Sequence, residues 1–328
     1  MRDWRSDKSP GAARKVPGQR CGLRSVWDWR SDKSPGAARK VKITMVIDRL
    51  WRPKLVATDL DGTFLNSSAQ VSPRNAAALV RLRAEGIPVV GVTGRAPRLL
   101  YTVQEYFGGK GIVVLAQGAF VGDLATGEVL RQITLPSALA LDITAQIEAV
   151  SGALLYAGEY PVGDKHVLYV EPGFAWPYSE GRQVAVRSDL PADGPALKFY
   201  LKSDRHDQDA LLALARSVVP ATVAELTHAG LGFIELCPPG VTKATGLAVA
   251  LERCGVDRRD VLVFGDMPND LPMFGWAGRS VAVANAHPDV LAVADDVTGT
   301  NDEDGFAAYL DRLLWPDCPR APDAQFSR

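Results

Sequence analysis

Short apolar runs that stop at an acidic or hydroxyl-bearing turn, and then give way to a helix, constrain this chain more than any other feature of its sequence. Residues 54–58 (KLVAT) form such a run and end at Asp59. Ser72-Pro73 then offers an N-cap and a first-turn proline for a helix carrying AAALVRLRAE, closed by Gly86. Residues 87–92 (IPVVGV) form a second run, ending at Thr93-Gly94. Unbroken apolar runs of this length suit strands buried on both faces, and strand–helix–strand order implies parallel pairing with right-handed crossovers. The rhythm returns late in the chain. Thr242 caps a helix through LAVALERC, closed by Gly255; residues 261–264 (VLVF) run into Gly265-Asp266; residues 280–284 (SVAVA) read as another strand; and 302–314 reads as a closing helix.

The text between these blocks differs. It carries a helix signal at 137–150, aromatic-rich strands at 166–170 and 197–201, a helix at 207–218 and a strand at 232–236. The expected fold is therefore α/β, a doubly wound parallel (Rossmann-like) sheet core in two parts, 45–134 and 238–316, with an inserted α+β cap domain over 135–237. Pro238-Pro239-Gly240 suits a hinge at its end. A length of 328 residues agrees with about two domains.

Residues 1–44 look foreign to the rest. DWRSDKSPGAARKV at 3–16 recurs letter for letter at 28–41. Two copies are too few for a solenoid, and the charge, Pro, Gly and Ser content predicts a disordered, duplicated extension. Two other readings stand beside it: translation starting at Met45, and a basic interaction arm. Residues 317–328 read as a frayed tail. A formal net charge of −1 offers no field for nucleic acid or an acidic membrane. No apolar run approaches the roughly 18 residues of a membrane span, and no apolar segment follows the basic N-terminus. Cys21, Cys237, Cys254 and Cys318 form no CxxC pair, so reduced thiols and a cytoplasmic location are expected.

Four stretches at strand ends or helix starts carry chemistry, at the edge where ligands bind open α/β sheets. Asp59-Leu60-Asp61-Gly62-Thr63 places two carboxylates two residues apart. One can attack phosphorus while the other handles protons; a plain capped turn explains the same letters. Thr93-Gly94-Arg95 offers a hydroxyl and free N–H groups to phosphate oxygens, though a capping Thr reads equally well. Lys243 lies at a helix N-terminus, where the helix dipole disfavours a cation unless an anion faces it; a surface lysine is the other reading. Gly265-Asp266-Met267-Pro268-Asn269-Asp270 gathers hard oxygen ligands that suit magnesium, or else a self-capping acidic turn.

Taken together and in order, DLDGT, TGR, the lysine and GDMPNDLPM resemble the four motifs of the haloacid dehalogenase-like hydrolases. Their Cof-type branch is the nearest match, and SVAVANAHPDV and ADDVTGTNDEDGFAAYL look like its C-terminal signature. The resemblance covers about 54–314, with the middle domain matching only in placement and size. It implies a magnesium-dependent phosphatase acting through an aspartyl-phosphate on a small-molecule phosphate ester, with no nucleic acid or membrane partner, as a monomer or homodimer. It implies Asp59 as nucleophile and metal ligand, and Asp61 as general acid/base with its carbonyl on the metal. Thr93, Gly94 and Lys243 would hold the phosphoryl group, with Lys243 also neutralising it. Asp266 would be a metal carboxylate, and Asn269 and Asp270 would complete the metal and phosphate shell. The sequence departs from the branch after the strand at 112–115, where Ala116-Gln117-Gly118-Ala119 stands in place of Asn-Gly-Ala. Gln117 is expected to leave the chemistry alone and to alter the turn or a contact near the leaving group.

A phosphomutase on the same scaffold is an open alternative. A receiver-like signalling protein is disfavoured by Asp61 and by the inserted domain, and a non-catalytic phospho-ligand binder by the intact set of chemical residues. Sugar, nucleotide or flavin, and pyridoxal phosphates all remain open as substrates. Tyr169, Trp176, Tyr178 and Tyr200 are candidate pocket aromatics or plain core. His166, His206, His228 and His287 are expected in structural or surface roles.

Overall fold

The computed structural model describes residues 51–163, 165–176, 182–190 and 194–316. The duplicated extension, Cys21, Tyr178, Cys318 and the tail lie outside them.

The first part of the core contains β1 (Leu55–Thr58), α1 (Pro73–Ala84), β2 (Val89–Val92), α2 (Leu100–Phe107), β3 (Ile112–Leu115), β4 (Phe120–Asp123) and β5 (Val129–Gln132). The chain then builds β6 (Leu135–Pro136), α3 (Ser137–Ser151), β7 (Leu154–Val162), β8 (Lys165–Val170), β9 (Arg182–Val184), β10 (Pro195–Ala196), β11 (Lys198–Ser203), α4 (Gln208–Val218), β12 (Glu225–Thr227) and β13 (Ile234–Cys237). It returns to the core with α5 (Lys243–Cys254), β14 (Val261–Gly265), α6 (Leu271–Phe274), β15 (Arg279–Ala282), α7 (Pro288–Val293), β16 (Asp296–Val297) and α8 (Gly305–Leu314).

The core sheet runs β16-β15-β14-β1-β2-β3-β4-β5, parallel from β16 to β3 and antiparallel through β4 and β5. Successive side chains of a strand point to opposite faces. Val56, Val89 and Val113 accordingly pack with α1, α2 and α8, through Leu79, Leu82, Phe107 and Phe306. Leu55, Ala57, Val90 and Val114 pack with α5, α6 and α7, through Leu247, Leu251, Met273 and Val290. Both faces are covered by helices, which is why these strands read as unbroken apolar runs. Local signals place the helices: the Ser72 hydroxyl accepts from the Asn75 N–H at 3.1 Å, and Thr242 and Thr245 form a reciprocal capping box at the start of α5.

A second sheet, β12-β13-β11-β7-β8-β9, is antiparallel except for the β8–β9 pair. One face packs on α3 and α4 through Tyr156, Phe199 and Ile234; the other carries Ala157, Tyr200 and Phe233, joined by Trp176. The closing helix is shorter than its sequence suggests. Asp304 takes a left-handed φ of 57°, which separates a short turn at Asn301–Glu303 from α8. Thr300 and Glu303 cap that turn reciprocally, so it closes on itself. Among the described residues no helix is long and apolar enough to cross a membrane.

Candidate active site at the core sheet edge

β1 lies between β14 and β2, so the residues following these three strands emerge together. Asp59 follows β1, Thr93 follows β2 and Asp266 follows β14. The Asp59 N–H donates to the Phe264 carbonyl at 3.0 Å, which anchors the nucleophile candidate to the neighbouring strand. Beyond it the chain turns tightly, with Gly62 at φ 80°. A Cβ at this position would lie 2.4 Å from Asp266 Oδ2, so only glycine fits both the backbone and the space. The turn brings Thr63, whose hydroxyl donates to Asp266 Oδ1 at 2.7 Å.

Lys243 begins α5, and the anions that its position called for are present. Its ammonium donates to Asp59 Oδ1 and to Asp270 Oδ1, both at 2.6 Å. Asp270 Oδ2 accepts from the N–H groups of Asp266 and Met267 at 2.9 and 3.0 Å, which shapes the acidic loop around it. Burial by itself would depress the Lys243 ammonium, but the Asp270 and Asp59 carboxylates outweigh it and hold the group above its ordinary value. Burial pushes the Asp59 carboxyl well up against the pull of Lys243, and the Asp270 and Asp266 charges add to the rise. Asp266 is raised to about 7, by burial first and by Asp270 second.

One carboxylate oxygen from each of Asp59, Asp266 and Asp270 lies within 4.8 Å of the others, and all three residues are buried. Three buried carboxylates face a single ammonium, and the surplus negative charge is what a hard divalent cation would offset. Asn269 Oδ1, also buried, has no hydrogen-bond partner, while its Nδ2 donates to Gln117 Oε1 at 3.3 Å. The donor set therefore fits a divalent cation such as magnesium.

Asp61 points elsewhere. Its carboxylate is gripped on both oxygens by Arg95, through Nε at 2.8 Å and Nη2 at 2.6 Å. Arg95 is itself tied to the Thr102 hydroxyl at 3.1 Å and the Tyr106 hydroxyl at 3.2 Å. The TGR stretch was singled out by sequence, yet its arginine was given no role; only the fold brings it to Asp61. Thr93 is buried, and its hydroxyl accepts from the Arg95 N–H at 3.1 Å. The Gly94 carbonyl accepts from Lys198 Nζ, on β11, at 2.7 Å.

Asp59, Asp61, Thr93, Gly94 and Asn269 border one cleft, roofed by the second sheet. Lys243 and Asp270 are buried against Asp59. From the roof come Trp176, Tyr200 and Phe233, with Lys198 and Glu235. Of the candidate aromatics, Tyr169 packs instead on the helix side of that sheet, against Tyr160. Phe233, which sequence reasoning passed over, joins the wall. Two buried ion pairs stand here: Lys198–Glu235 at 2.8 Å and Arg98–Glu159 at 2.8 Å. Gln117 adopts φ 60°, and its Nε2 donates to Glu235 Oε2 at 2.7 Å. The departure from the family pattern thus produces a contact between the core turn and β13. The His228 and His287 rings converge on Asp209, at 2.9 and 3.6 Å, and the His287 backbone N–H donates to the Asp266 carbonyl at 2.7 Å.

Residues 56–310 match the model of the family described as haloacid dehalogenase-like hydrolase. Phosphatase YwpJ of Bacillus subtilis is 30% identical over 292 residues, spanning 80% of this chain and all of its own. The 5-amino-6-(5-phospho-D-ribitylamino)uracil phosphatase YwtE of the same organism is 28% identical, over 80% of this chain and 98% of its own. The solved structure of a haloacid dehalogenase-like hydrolase from B. subtilis superposes with a TM-score of 0.67 at 26% identity, covering 80% of this chain and 100% of that one. With an inserted, mixed-sheet cap over a mostly parallel core, the chain belongs to the haloacid dehalogenase-like hydrolase family, in its Cof-type branch, and is a phosphatase.

Proposed function

We propose that this phosphatase is magnesium-dependent and hydrolyses a small phosphorylated metabolite, a sugar, nucleotide or flavin, or pyridoxal phosphate, through a covalent phosphate on Asp59. The observation that carries the reading is the Asp59 carboxylate, buried at the end of β1, bound to Lys243 and facing Asp266 within one carboxylate cluster. YwtE, which bears the name of a phosphatase for a phosphorylated pyrimidine intermediate, is consistent with it.

An Asp59 oxygen attacks phosphorus in line, and the bond from phosphorus to the ester oxygen breaks. The departing alkoxide takes a proton from Asp61. Asp61 then takes a proton from a water molecule, whose oxygen attacks the same phosphorus, releasing inorganic phosphate and restoring Asp59. Thr93 and the Gly94 turn hold phosphoryl oxygens, and Lys243 places its fixed positive charge beside the nucleophile. A magnesium ion held by Asp59, Asp266 and Asp270, with Asn269 and the Asp61 carbonyl completing its shell, would supply further positive charge against those oxygens. Asp61 has to leave Arg95 and take up a proton from solvent before it can protonate the ester oxygen, so Arg95 sets where its carboxylate rests between turnovers. The free thiols of Cys237 and Cys254 suit work in a reducing cytoplasm.

Asp59→Asn tests this directly. Phosphate release from p-nitrophenyl phosphate should fall to background with the thermal melt preserved, and no acid-stable label from ³²P-substrate should remain on the protein. Undiminished turnover by the variant would refute the nucleophile assignment.

A further inference from the structure

The cleft that faces Asp59 has an uneven division of chemistry. Among the described residues its roof is an aromatic surface. Trp176 stacks on Phe233 with ring centroids 5.3 Å apart and planes 14° apart, and Tyr200 meets Trp176 edge-on at 4.7 Å and Phe233 at 5.3 Å. Each ring holds the next, so the wall is already in place and loses little side-chain freedom when something binds to it. The aliphatic and thioether side chains of Leu99, Leu231 and Met267 extend the apolar lining.

Among the described residues, the charged groups that reach the same space from the roof, and Arg98 of the core beside it, are already paired. Lys198 spends two of its three N–H donors on Glu235 at 2.8 Å and the Gly94 carbonyl at 2.7 Å. Glu235 Oε2 accepts from both Lys198 and Gln117. Arg98 gives its Nε to Glu159 at 2.8 Å. These are buried charge pairs, and taking either partner away to serve a ligand would leave a charge uncompensated. A polyhydroxylated leaving group needs a partner for every hydroxyl it buries, and each one left unmatched weakens binding roughly tenfold. A flat ring needs few partners and gains from the aromatic wall.

We infer that this cleft selects a phosphate monoester whose leaving group is a flat aromatic or heteroaromatic ring on a short arm, and that Trp176 is the specificity-determining residue, backed by Phe233 and Tyr200. This rests on the reading of Asp59 as the phosphoryl acceptor. The ring lies against the roof while its phosphate reaches the strand ends, and the remaining N–H of Lys198 is available for a single acceptor on the ring. Lys198 Nζ lies 4.6 Å from the Tyr200 ring centroid, so one flank of the aromatic wall is also the polar one.

Benzyl phosphate and glucose 6-phosphate make the test, because both release a primary alcohol and differ only in what the roof must accept. With the full chain in magnesium, kcat/KM for benzyl phosphate should exceed that for glucose 6-phosphate at least tenfold. Trp176→Ala should lower kcat/KM for benzyl phosphate about tenfold, chiefly through KM, and change the glucose ester less than threefold; Trp176→Phe should restore most of the loss. Benzylphosphonate, which cannot be hydrolysed, should bind the parent more tightly than Trp176→Ala by calorimetry. Equal or greater efficiency with glucose 6-phosphate, or a Trp176→Ala loss shared equally by both esters, would overturn the ring preference and leave the phosphatase reading intact. Failure to release phosphate from either ester and from p-nitrophenyl phosphate would overturn both readings.

Discussion

Replacing Lys243 with methionine separates the charge of this side chain from its bulk. The lysine is fully buried, with Nζ 2.6 Å from carboxylate oxygens of Asp59 and of Asp270. Methionine keeps most of the stem, so the cavity created is small. What is lost is the only ammonium in contact with these carboxylates among the described residues. Removing one partner from a buried ion pair costs about 3–5 kcal/mol, mainly through the charge left behind. At roughly 2–4 °C per kcal/mol for a domain of 150–250 residues, the metal-free variant should melt about 10 °C below the parent near pH 8. The deficit also has a direction in pH. Burial and the neighbouring acids hold the Asp59 carboxyl well above its ordinary value even with Lys243 present, and without the ammonium it takes a proton more readily still. A group whose folded-state pKa is raised contributes stability at low pH that is lost as pH rises, so the deficit should grow as pH rises and shrink on acidification. Magnesium should recover part of the melt, because it binds only the folded cluster, while kcat stays about 10²–10³-fold down. Calorimetric melts in EDTA and in magnesium at three pH values measure all of this. A metal-free variant as stable as the parent near pH 8, or a deficit that grows on acidification, would refute the reasoning.

Asp266 sits at about 7 without metal, raised first by burial, so magnesium should displace a proton when it binds. Its apparent affinity should then weaken as pH falls through about 7, and the metal-free melt should fall as pH rises through the same window; isothermal titration in buffers of different ionisation enthalpy counts the proton, and a pH-independent Kd removes the metal from this cluster. EDTA should abolish phosphate release and added magnesium restore it, with chelator-insensitive turnover as the contrary result. Gly62→Ala should lose nearly all activity and about 1–3 kcal/mol of stability, because its methyl group meets Asp266 Oδ2 at a left-handed φ; wild-type kcat would show that the turn has room to yield. Arg95→Gln removes the group that positions Asp61, and should lower kcat/KM, which reports the phosphoryl-transfer step, about 10–100-fold for alkyl esters while sparing kcat/KM for p-nitrophenyl phosphate, whose leaving group needs little proton donation. Equal losses on both esters would assign Arg95 a purely structural role.

The core was largely legible in the sequence because its signals are local. A buried parallel strand has to be apolar on both faces, so β1, β2, β3 and β14 stand out as short runs, and Ser72-Pro73, Thr242 and Gly255 mark helix ends by hydrogen bonds that reach only a few residues. The nine-residue β7 went unread even though it lies inside the second sheet. Its letters, LLYAGEYPV, neither alternate cleanly nor form an unbroken apolar run, since one face packs on helices and the other mixes buried apolar residues with Glu159, which is paired to Arg98.

By itself the sequence determined the core strands and helix starts that carry the site and which residue types stand at their ends: Asp59 and Asp61 after one strand, Thr93 after another, Asp266 to Asp270 after a third, and Lys243 where a helix begins. Tertiary structure alone decided which of these touch. The contact between Lys243 and Asp59 spans 184 residues, that between Arg95 and Asp61 spans 34, and that between Gln117 and Glu235 spans 118. Capping and periodicity are short-range effects written into neighbouring letters, whereas the charge balance around a buried carboxylate depends on the order in which strands are laid side by side.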